Sequence, residues 1–191
     1  FLGVIFFLSR KQTRAGQLGR VGIGLGLIIL ALELIVQAAA PITHAQGVKV
    51  LFASLTGDIM LDALVGAMFA MISYSSLAAV LLTATLAGAE LISLPVAIGL
   101  VVGANIGSGL LAFISTSMQN AAGRRVALGS LLYKLIGLVL IIPVLHPLVA
   151  WMDSLSFSPQ ELVIGFHLLY NTLRCLIMLP TVKPMGRLCN A

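Results

Sequence analysis

The sequence predicts an all-α, polytopic membrane helix bundle that includes one re-entrant helical hairpin. Of the 191 residues, 60% are hydrophobic and only 9% are charged, whereas soluble domains are about 45–50% apolar and about 25% charged. Six acidic and eleven basic residues are too few to cover the surface of a soluble protein of this size. The composition therefore excludes a soluble enzyme, a disordered chain and a disulfide-built secreted module.

Apolar blocks separated by polar loops set the order of the predicted helices. The blocks are residues 1–8, 21–40, 59–88, 91–114, 126–151 and 162–180. A bilayer crossing needs about 20 apolar residues, so the first block is too short to span. We interpret it as the end of a helix that the sequence cuts, and we treat the chain as a fragment.

Basic residues indicate which loops are cytoplasmic. Eight of the eleven Lys and Arg residues fall in the loop after the first block, the loop before the fifth, and the tail after the sixth. The positive-inside rule places all three segments in the cytoplasm. The third and fourth blocks together must therefore cross the membrane an odd number of times.

The third block satisfies this condition if it enters the membrane and returns to the same side. As one helix, its roughly 30 residues would be about 45 Å long, which exceeds the ~30 Å apolar core. The polar segment Ser73–Ser76 also interrupts it at its midpoint. We therefore predict a re-entrant hairpin with its tip near Ser73–Ser76. Non-helical backbone is tolerated at membrane depth only beside protein or a water-filled cavity, so we expect a cavity around this tip.

The hairpin tip is the first candidate binding segment. Ser73, Tyr74, Ser75 and Ser76 offer hydroxyls and free backbone amides that suit an oxyanion such as phosphate, and oxygen atoms that suit Na+. The alternative is that these hydroxyls only bond back to the preceding turn of helix and bend it.

The run GANIGS at 103–108 is the second candidate segment. Its side chains Asn105 and Ser108 are predicted to line the cavity, beside a helix break at 107–109, because an amide in a bilayer needs polar partners. Small residues let helices pack closely, so a smooth packing face is predicted from three glycines spaced four residues apart: Gly99, Gly103 and Gly107.

The ionisable side chains considered as candidates inside the predicted spans are Glu33, Lys134, His167 and Arg174. A charge at the bilayer centre costs about 2.5–3.5 kcal/mol, so such groups face the bundle interior and usually pair. Glu33 is a candidate partner for either cation, and the sequence does not choose between them. His167 and Asn171 share one helix face at i, i+4 and are secondary site candidates; the alternative for His167 is a hydrogen-bonded core residue.

An internal repeat relates the last two blocks. Ser130–Lys134, followed by Pro143, matches His167–Asn171, followed by Pro180, with one shift of 37 residues. The predicted topology runs these helices in opposite directions, as in the inverted repeats of many secondary transporters. The alternative is chance similarity between two Leu-rich helices.

Two motifs resemble those of a known family. The runs GAMFAMISYSSLA at 66–78 and VVGANIGS at 101–108 resemble the QSSS and GANIGT motifs that the type II sodium/phosphate cotransporter family carries in each of two inverted repeats. The resemblance covers essentially the whole chain and is closest to the second repeat of bacterial members with a PhoU-like domain. It implies that 1–191 is one transmembrane domain, half of an inverted-repeat transporter, without the first repeat and the cytoplasmic domain.

The resemblance also implies a function and a site. It implies Na+/phosphate symport in the plasma (inner) membrane, with Na+ as the coupling ion and no other cofactor. The partners would be inorganic phosphate, sodium, the bilayer and the first repeat; no enzyme activity and no nucleic-acid partner are expected. By position, the family's glutamine falls on Ser73 and its three serines on the next three residues. Ser75 and Ser76 are thus the first candidates for phosphate or Na+ contact, with no other metal site.

The remaining candidates follow in order. Ser73, Asn105 and Ser108 come next, and the secondary candidates are Tyr74, His167 and Asn171. The missing glutamine leaves alternatives open: a phosphate exporter or facilitator without tight sodium coupling, or a membrane scaffold or sensor that does not transport.

Overall fold

The computed structural model describes residues 1–9, 13–44, 46–47, 50, 55, 57–118 and 120–189, and all regular structure in these ranges is helical. The predicted all-α class is therefore confirmed. The chain forms two compact units, Phe1–Ala40 and Pro41–Ala191.

The helices follow the apolar blocks of the sequence. In chain order they are α1 (Leu2–Ser9), α2 (Arg14–His44), α3 (Ile59–Ile72), α4 (Ser76–Gly88), α5 (Leu94–Thr116), α6 (Ala121–Asp153), α7 (Pro159–Met178) and α8 (Val182–Leu188), with a 3-10 turn at Leu179–Thr181. Within the described ranges, the stretches long and apolar enough to cross a membrane are Arg14–Ala38, Leu94–Thr116, Ala121–Asp153 and Pro159–Leu188. These correspond to the second, fourth, fifth and sixth blocks, as predicted.

In the first unit, α1 contacts α2 through glycines. A Cβ added at Gly19 would lie only 2.6 Å from the backbone N of Phe7, and one added at Gly3 would lie 2.9 Å from the carbonyl O of Gly19. The guanidinium of Arg20 lies 5.2 Å from the centre of the Phe7 ring, a cation–π distance. The short first block is thus a helix that packs against the second.

The second unit is built around α5. Twelve of its 23 residues are buried, and it contacts α3, α4, α6 and α7. Its apolar face forms the centre of the hydrophobic core with residues from α4, α6 and α7. Helix α5 is therefore the common packing partner of the four helices that carry the other candidate residues.

The third block breaks into two helices that form the predicted hairpin. Asp62 of α3 lies against Gly99 of α5, and Ala67 lies against Gly107, so α3 and α5 run in the same direction. The chain must therefore reverse twice between them, once at the turn after α3 and once after α4. With 14 and 13 residues, α3 and α4 are each about 20 Å long, which is shorter than the ~30 Å apolar core.

The packing face predicted on α5 is confirmed. A Cβ added at Gly103 or Gly107 would overlap the backbone carbonyl of Ala63 or Ala67, respectively, so the two helices meet backbone to backbone. The predicted helix break at 107–109 is wrong, because α5 continues without interruption to Thr116. The glycines there serve close packing and leave the helix intact.

The repeat-related helices α6 and α7 run in opposite directions, as predicted. Gly137 of α6 faces Arg174 of α7. Earlier in α6, the hydroxyl of Tyr133 lies 3.1 Å from Oγ1 of Thr181, which follows α7. Because the earlier residue of α6 contacts the later residue of the α7 segment, the two helices are antiparallel.

Candidate functional site

The predicted segment Ser73–Ser76 forms the turn between α3 and α4. Ser73 is the C-cap of α3. Its Oγ lies within hydrogen-bond distance of the carbonyl oxygens of Phe69 (2.7 Å) and Ser75 (3.0 Å). Oγ of Ser75 caps α4 by accepting from the backbone N–H of Ala78 at 3.2 Å. Ser75 and Ser76 are half-buried, whereas Ser73 is exposed. Ser73 therefore makes the hydrogen bond to the preceding helical turn that was the alternative to a binding role. Ser75 instead caps the next helix.

Tyr74 at the tip has an unusual backbone conformation. Its φ is +52°, a value that bulky residues rarely adopt, and its side chain is 78% exposed. The residue after a helix C-cap with positive φ is usually glycine. Backbone strain of this kind clusters at functional sites, which supports the turn as a binding segment.

The start of α4 offers unused donors. The first N–H groups of a helix have no acceptor within the helix, and the N-terminus carries a partial positive charge of about +0.5. Together these features make a helix N-terminus suitable for an anion. Since Ser75 Oγ uses a lone pair in its cap bond, its hydroxyl proton is left to donate.

The two candidates on α5 have partners of different kinds. Asn105 is buried, and its Nδ2 donates to the carbonyl O of Val101 at 3.0 Å. Oγ of Ser108 donates to the carbonyl O of Asn105 at 2.8 Å and accepts from Nζ of Lys134, also at 2.8 Å. The structure therefore brings Ser108 together with a cation of α6. That Asn105 and Ser108 line a cavity with the tip stays a prediction.

A row of polar side chains follows one face of α7. Nδ2 of Asn171 donates to the carbonyl O of His167 at 2.8 Å and lies 3.3 Å from its Nδ1, which confirms their shared face. Nη2 of Arg174 donates to Oδ1 of Asn171 at 2.8 Å. The guanidinium carbon also lies 5.6 Å from the centre of the Tyr170 ring.

The two cations inside the predicted spans of the second unit bond to neutral side chains. Lys134 donates to Ser108 and Arg174 donates to Asn171. Glu33 lies in the other unit, where its Oε1 accepts from Nε2 of Gln37 at 3.3 Å. A pair between Glu33 and either cation stays a prediction.

Asp62 is a buried polar residue that was not among the predicted site residues. Its side chain is 0% exposed, and neither carboxyl oxygen has a hydrogen-bond partner among the described residues. Burying a polar group without such a partner is costly, and ionisable residues inside a membrane usually have a function. The available signal was an acidic residue inside an otherwise apolar block.

The described residues of the second unit line at least two cavities. One of about 580 Å³ lies between α6 and α7; it is mostly apolar, with Tyr170 and Arg174 among the lining residues. The other, of about 380 Å³, is lined by the start of α5 and the end of α6, including His146 and Asp153. Neither is the cavity expected around Ser73–Ser76, which stays a prediction.

Known proteins resemble the chain over its whole length. Proteins of Salmonella typhimurium and Escherichia coli K12, both named "Putative inorganic phosphate export protein YjbB", are 70% identical over 190 residues, which is 100% of this chain and 35% of theirs. "Uncharacterized protein YqeW" of Bacillus subtilis is 26% identical over 98% of this chain and 61% of its own length. The chain thus spans about a third of the length of the first two. No solved structure gives a significant match.

A family model supports the same grouping. The model described as Na+/Pi-cotransporter matches residues 41–176, which lie within the second unit and make up well over half of the chain. The apolar helices described above are those expected of a protein that crosses the bilayer several times. The chain is therefore an integral, multi-pass membrane protein and belongs to the Na+/Pi-cotransporter family.

Proposed function

We propose that this chain forms part of a transporter that moves inorganic phosphate across the plasma (inner) membrane, with Na+ as the coupling ion. The observation that carries this proposal is the turn at Ser73–Ser76. Two helices of about 20 Å flank it, so that its hydroxyls and the N-terminus of α4 lie within the apolar layer. Membership of the family supports phosphate as the substrate.

Ser75 and Ser76 would contact the ions. The free hydroxyl proton of Ser75 and the first N–H groups of α4 are donors for phosphate oxygens. The hydroxyl and carbonyl oxygens of the same turn are ligands for Na+. A first repeat of opposite orientation would supply the facing half of the site, and alternating access would move one bundle against the other.

Export without tight sodium coupling is the second candidate. The relatives with 70% identity are named as phosphate export proteins. In addition, Ser73 stands where the family motif has glutamine, and it lacks that residue's combined donor and acceptor amide. Phosphate flux measured with Na+ replaced by choline separates the two: symport requires Na+, whereas an uncoupled exporter keeps its flux.

Radiolabelled phosphate flux in proteoliposomes of the full-length protein tests the site. Hydrogen bonds to charged groups contribute about 1.5–3 kcal/mol, so the Ser75→Ala/Ser76→Ala double variant should lower Na+-stimulated flux by at least about tenfold. Ser117→Ala is the control, because its exposed hydroxyl only donates to Ile114 at 2.7 Å. Unchanged flux in the double variant would remove both serines from the site.

A scaffold or sensor that does not transport is the remaining alternative. In that case a cysteine placed by Ser75→Cys would react with a thiol reagent at the same rate with and without phosphate. Phosphate transport instead predicts that phosphate slows the labelling.

A further inference from the structure

Lys134 and Arg174 are two intramembrane cations without an acidic partner among the described residues of their own unit. Each donates a 2.8 Å hydrogen bond to a neutral residue, Ser108 and Asn171, respectively. Gly137, three residues after Lys134 on α6, faces the side chain of Arg174, so both cations belong to the same contact between α6 and α7. Among the described residues of this unit, no carboxylate contacts either cation. Such an arrangement inside a membrane is costly unless an anion completes it.

Two buried donor groups at this contact, one of them on Arg174 itself, have no acceptor among the described residues. The Tyr170 hydroxyl lies close to the Arg174 side chain, yet neither this hydroxyl nor Nη1 of Arg174, both buried, has an acceptor in the described part of the chain. The great majority of buried polar groups in proteins are hydrogen-bonded, and an exception indicates an unseen ligand, water or ion. An arginine fork with one free arm is suited to a phosphate oxygen.

Gly137 of α6 leaves room for the side chains of Tyr170 and Arg174. A Cβ added there would lie 2.7 Å from the hydroxyl of Tyr170 and 2.8 Å from Cδ of Arg174. The 37-residue shift of the internal repeat relates Gly137 to Arg174, and Lys134 to Asn171. Each helix therefore has a cation at a position where the other repeat has a neutral residue. Because Gly137 has no side chain, it leaves room for Arg174 of α7.

From this geometry we propose that Lys134, Arg174 and Tyr170 form a second anion site that binds the phosphate group of inorganic phosphate, with Ser108 holding Lys134 in position. The inference rests on the proposed function for the identity of its ligand, and it adds a site separate from the serine turn. A phosphate of charge −1 to −2 neutralises the two cations and accepts from the free donors.

Depth favours free phosphate over a lipid headgroup. Lys134 lies 13 residues into the 33-residue α6, and Arg174 lies 15 residues into the 30-residue apolar stretch Pro159–Leu188, so each is near the middle of its span. Headgroups lie outside the ~30 Å apolar core, far from the middle of these helices. The adjacent apolar cavity is nevertheless wide enough for acyl chains, so the lipid source is tested directly.

Equilibrium binding of radiolabelled phosphate to the full-length protein in detergent tests the site. Lys134→Gln and Arg174→Gln should each weaken binding by at least about tenfold, both in the native background and in the Ser75→Ala/Ser76→Ala background. Arg125→Gln is the control, since Arg125 is exposed near the start of α6. Unchanged affinity in both backgrounds would overturn the site. Binding of phosphatidylglycerol without any binding of inorganic phosphate would also overturn it.

Two further measurements keep this inference separate from folding and from transport. If the Gln variants do not fold, Lys134→Arg should retain binding, and Ser108→Ala should weaken it about two- to tenfold; no difference between these two would overturn the inference. Loss of flux in the double serine variant tests the serine turn alone. Phosphate binding that depends on Lys134, in a protein that moves no phosphate, would refute the proposed function and leave the second site standing.

Discussion

Replacing Gly103 by alanine should force α3 and α5 apart, because the two backbones meet at this residue. The added Cβ would overlap the carbonyl O of Ala63. At Gly99 the same change is milder: the Cβ would lie 2.6 Å from Cβ of Asp62, about 0.9 Å inside an optimal carbon contact of roughly 3.5 Å. The two glycines therefore form a graded series at one interface.

The expected magnitudes follow from two opposing effects. Overpacking a tight interior costs about 1–3 kcal/mol, and the cost at Gly103 lies at the upper end because a backbone carbonyl cannot rotate away. Alanine recovers about 1 kcal/mol over glycine within a helix. The net destabilisation is about 2 kcal/mol for Gly103→Ala and about 1 kcal/mol for Gly99→Ala.

The matched control is Gly165→Ala in α7. Nothing lies within 4 Å of its added Cβ, so only the helix preference acts, and the variant should gain about 1 kcal/mol. The measurement is the free energy of unfolding of the purified full-length protein in detergent. If Gly103→Ala is as stable as Gly165→Ala, the helices do not meet backbone to backbone as described.

Two smaller substitutions test local backbone features by thermal unfolding. Tyr74→Gly should stabilise the protein by about 0.5–1 kcal/mol, because it removes the Cβ strain of the positive φ at the cost of some glycine entropy; Tyr74→Ala keeps the Cβ and should bring no gain. Ser158→Ala should cost about 1 kcal/mol, since Ser158 and Glu161 form a capping box at the start of α7. Ser93→Ala is its control, because Ser93 precedes α5 without a side-chain cap bond, and equal losses in the two variants would contradict the capping argument.

The hairpin could be predicted because length, charge and polarity constrain the third block together. A continuous helix would exceed the bilayer core and reverse the sidedness of the basic loops, and Ser73–Ser76 supplied the interruption. The prediction of a break in α5 was wrong for a different reason. Glycines permit both a break and a close contact, and the choice depends on the neighbouring helix, which the sequence does not show.

The candidate site was predictable as a set of residues but not as contacts. Lys134, Arg174 and Ser108 were identified because polar groups are rare in apolar blocks. The bond between Lys134 and Ser108 joins two residues that are 26 positions apart on different helices, and no local pattern encodes that contact. Asp62 was missed because the third block was judged by its length and its midpoint, whereas the acid lies near its start.

One helix connects both proposed sites. Through Gly103, α5 is fixed backbone to backbone on α3 of the hairpin, and through Ser108 it holds Lys134 of the cation pair. The first contact is backbone to backbone, whereas the second is made mainly by side chains, with Ser108 bonded to Lys134 and Gly109 packed against Leu131 and Lys134. Relative motion is therefore expected between α5 and α6, with the hairpin moving together with α5. On this reasoning Gly103→Ala should lower phosphate flux even though it touches no proposed ligand, because it loosens the contact through which the hairpin follows α5.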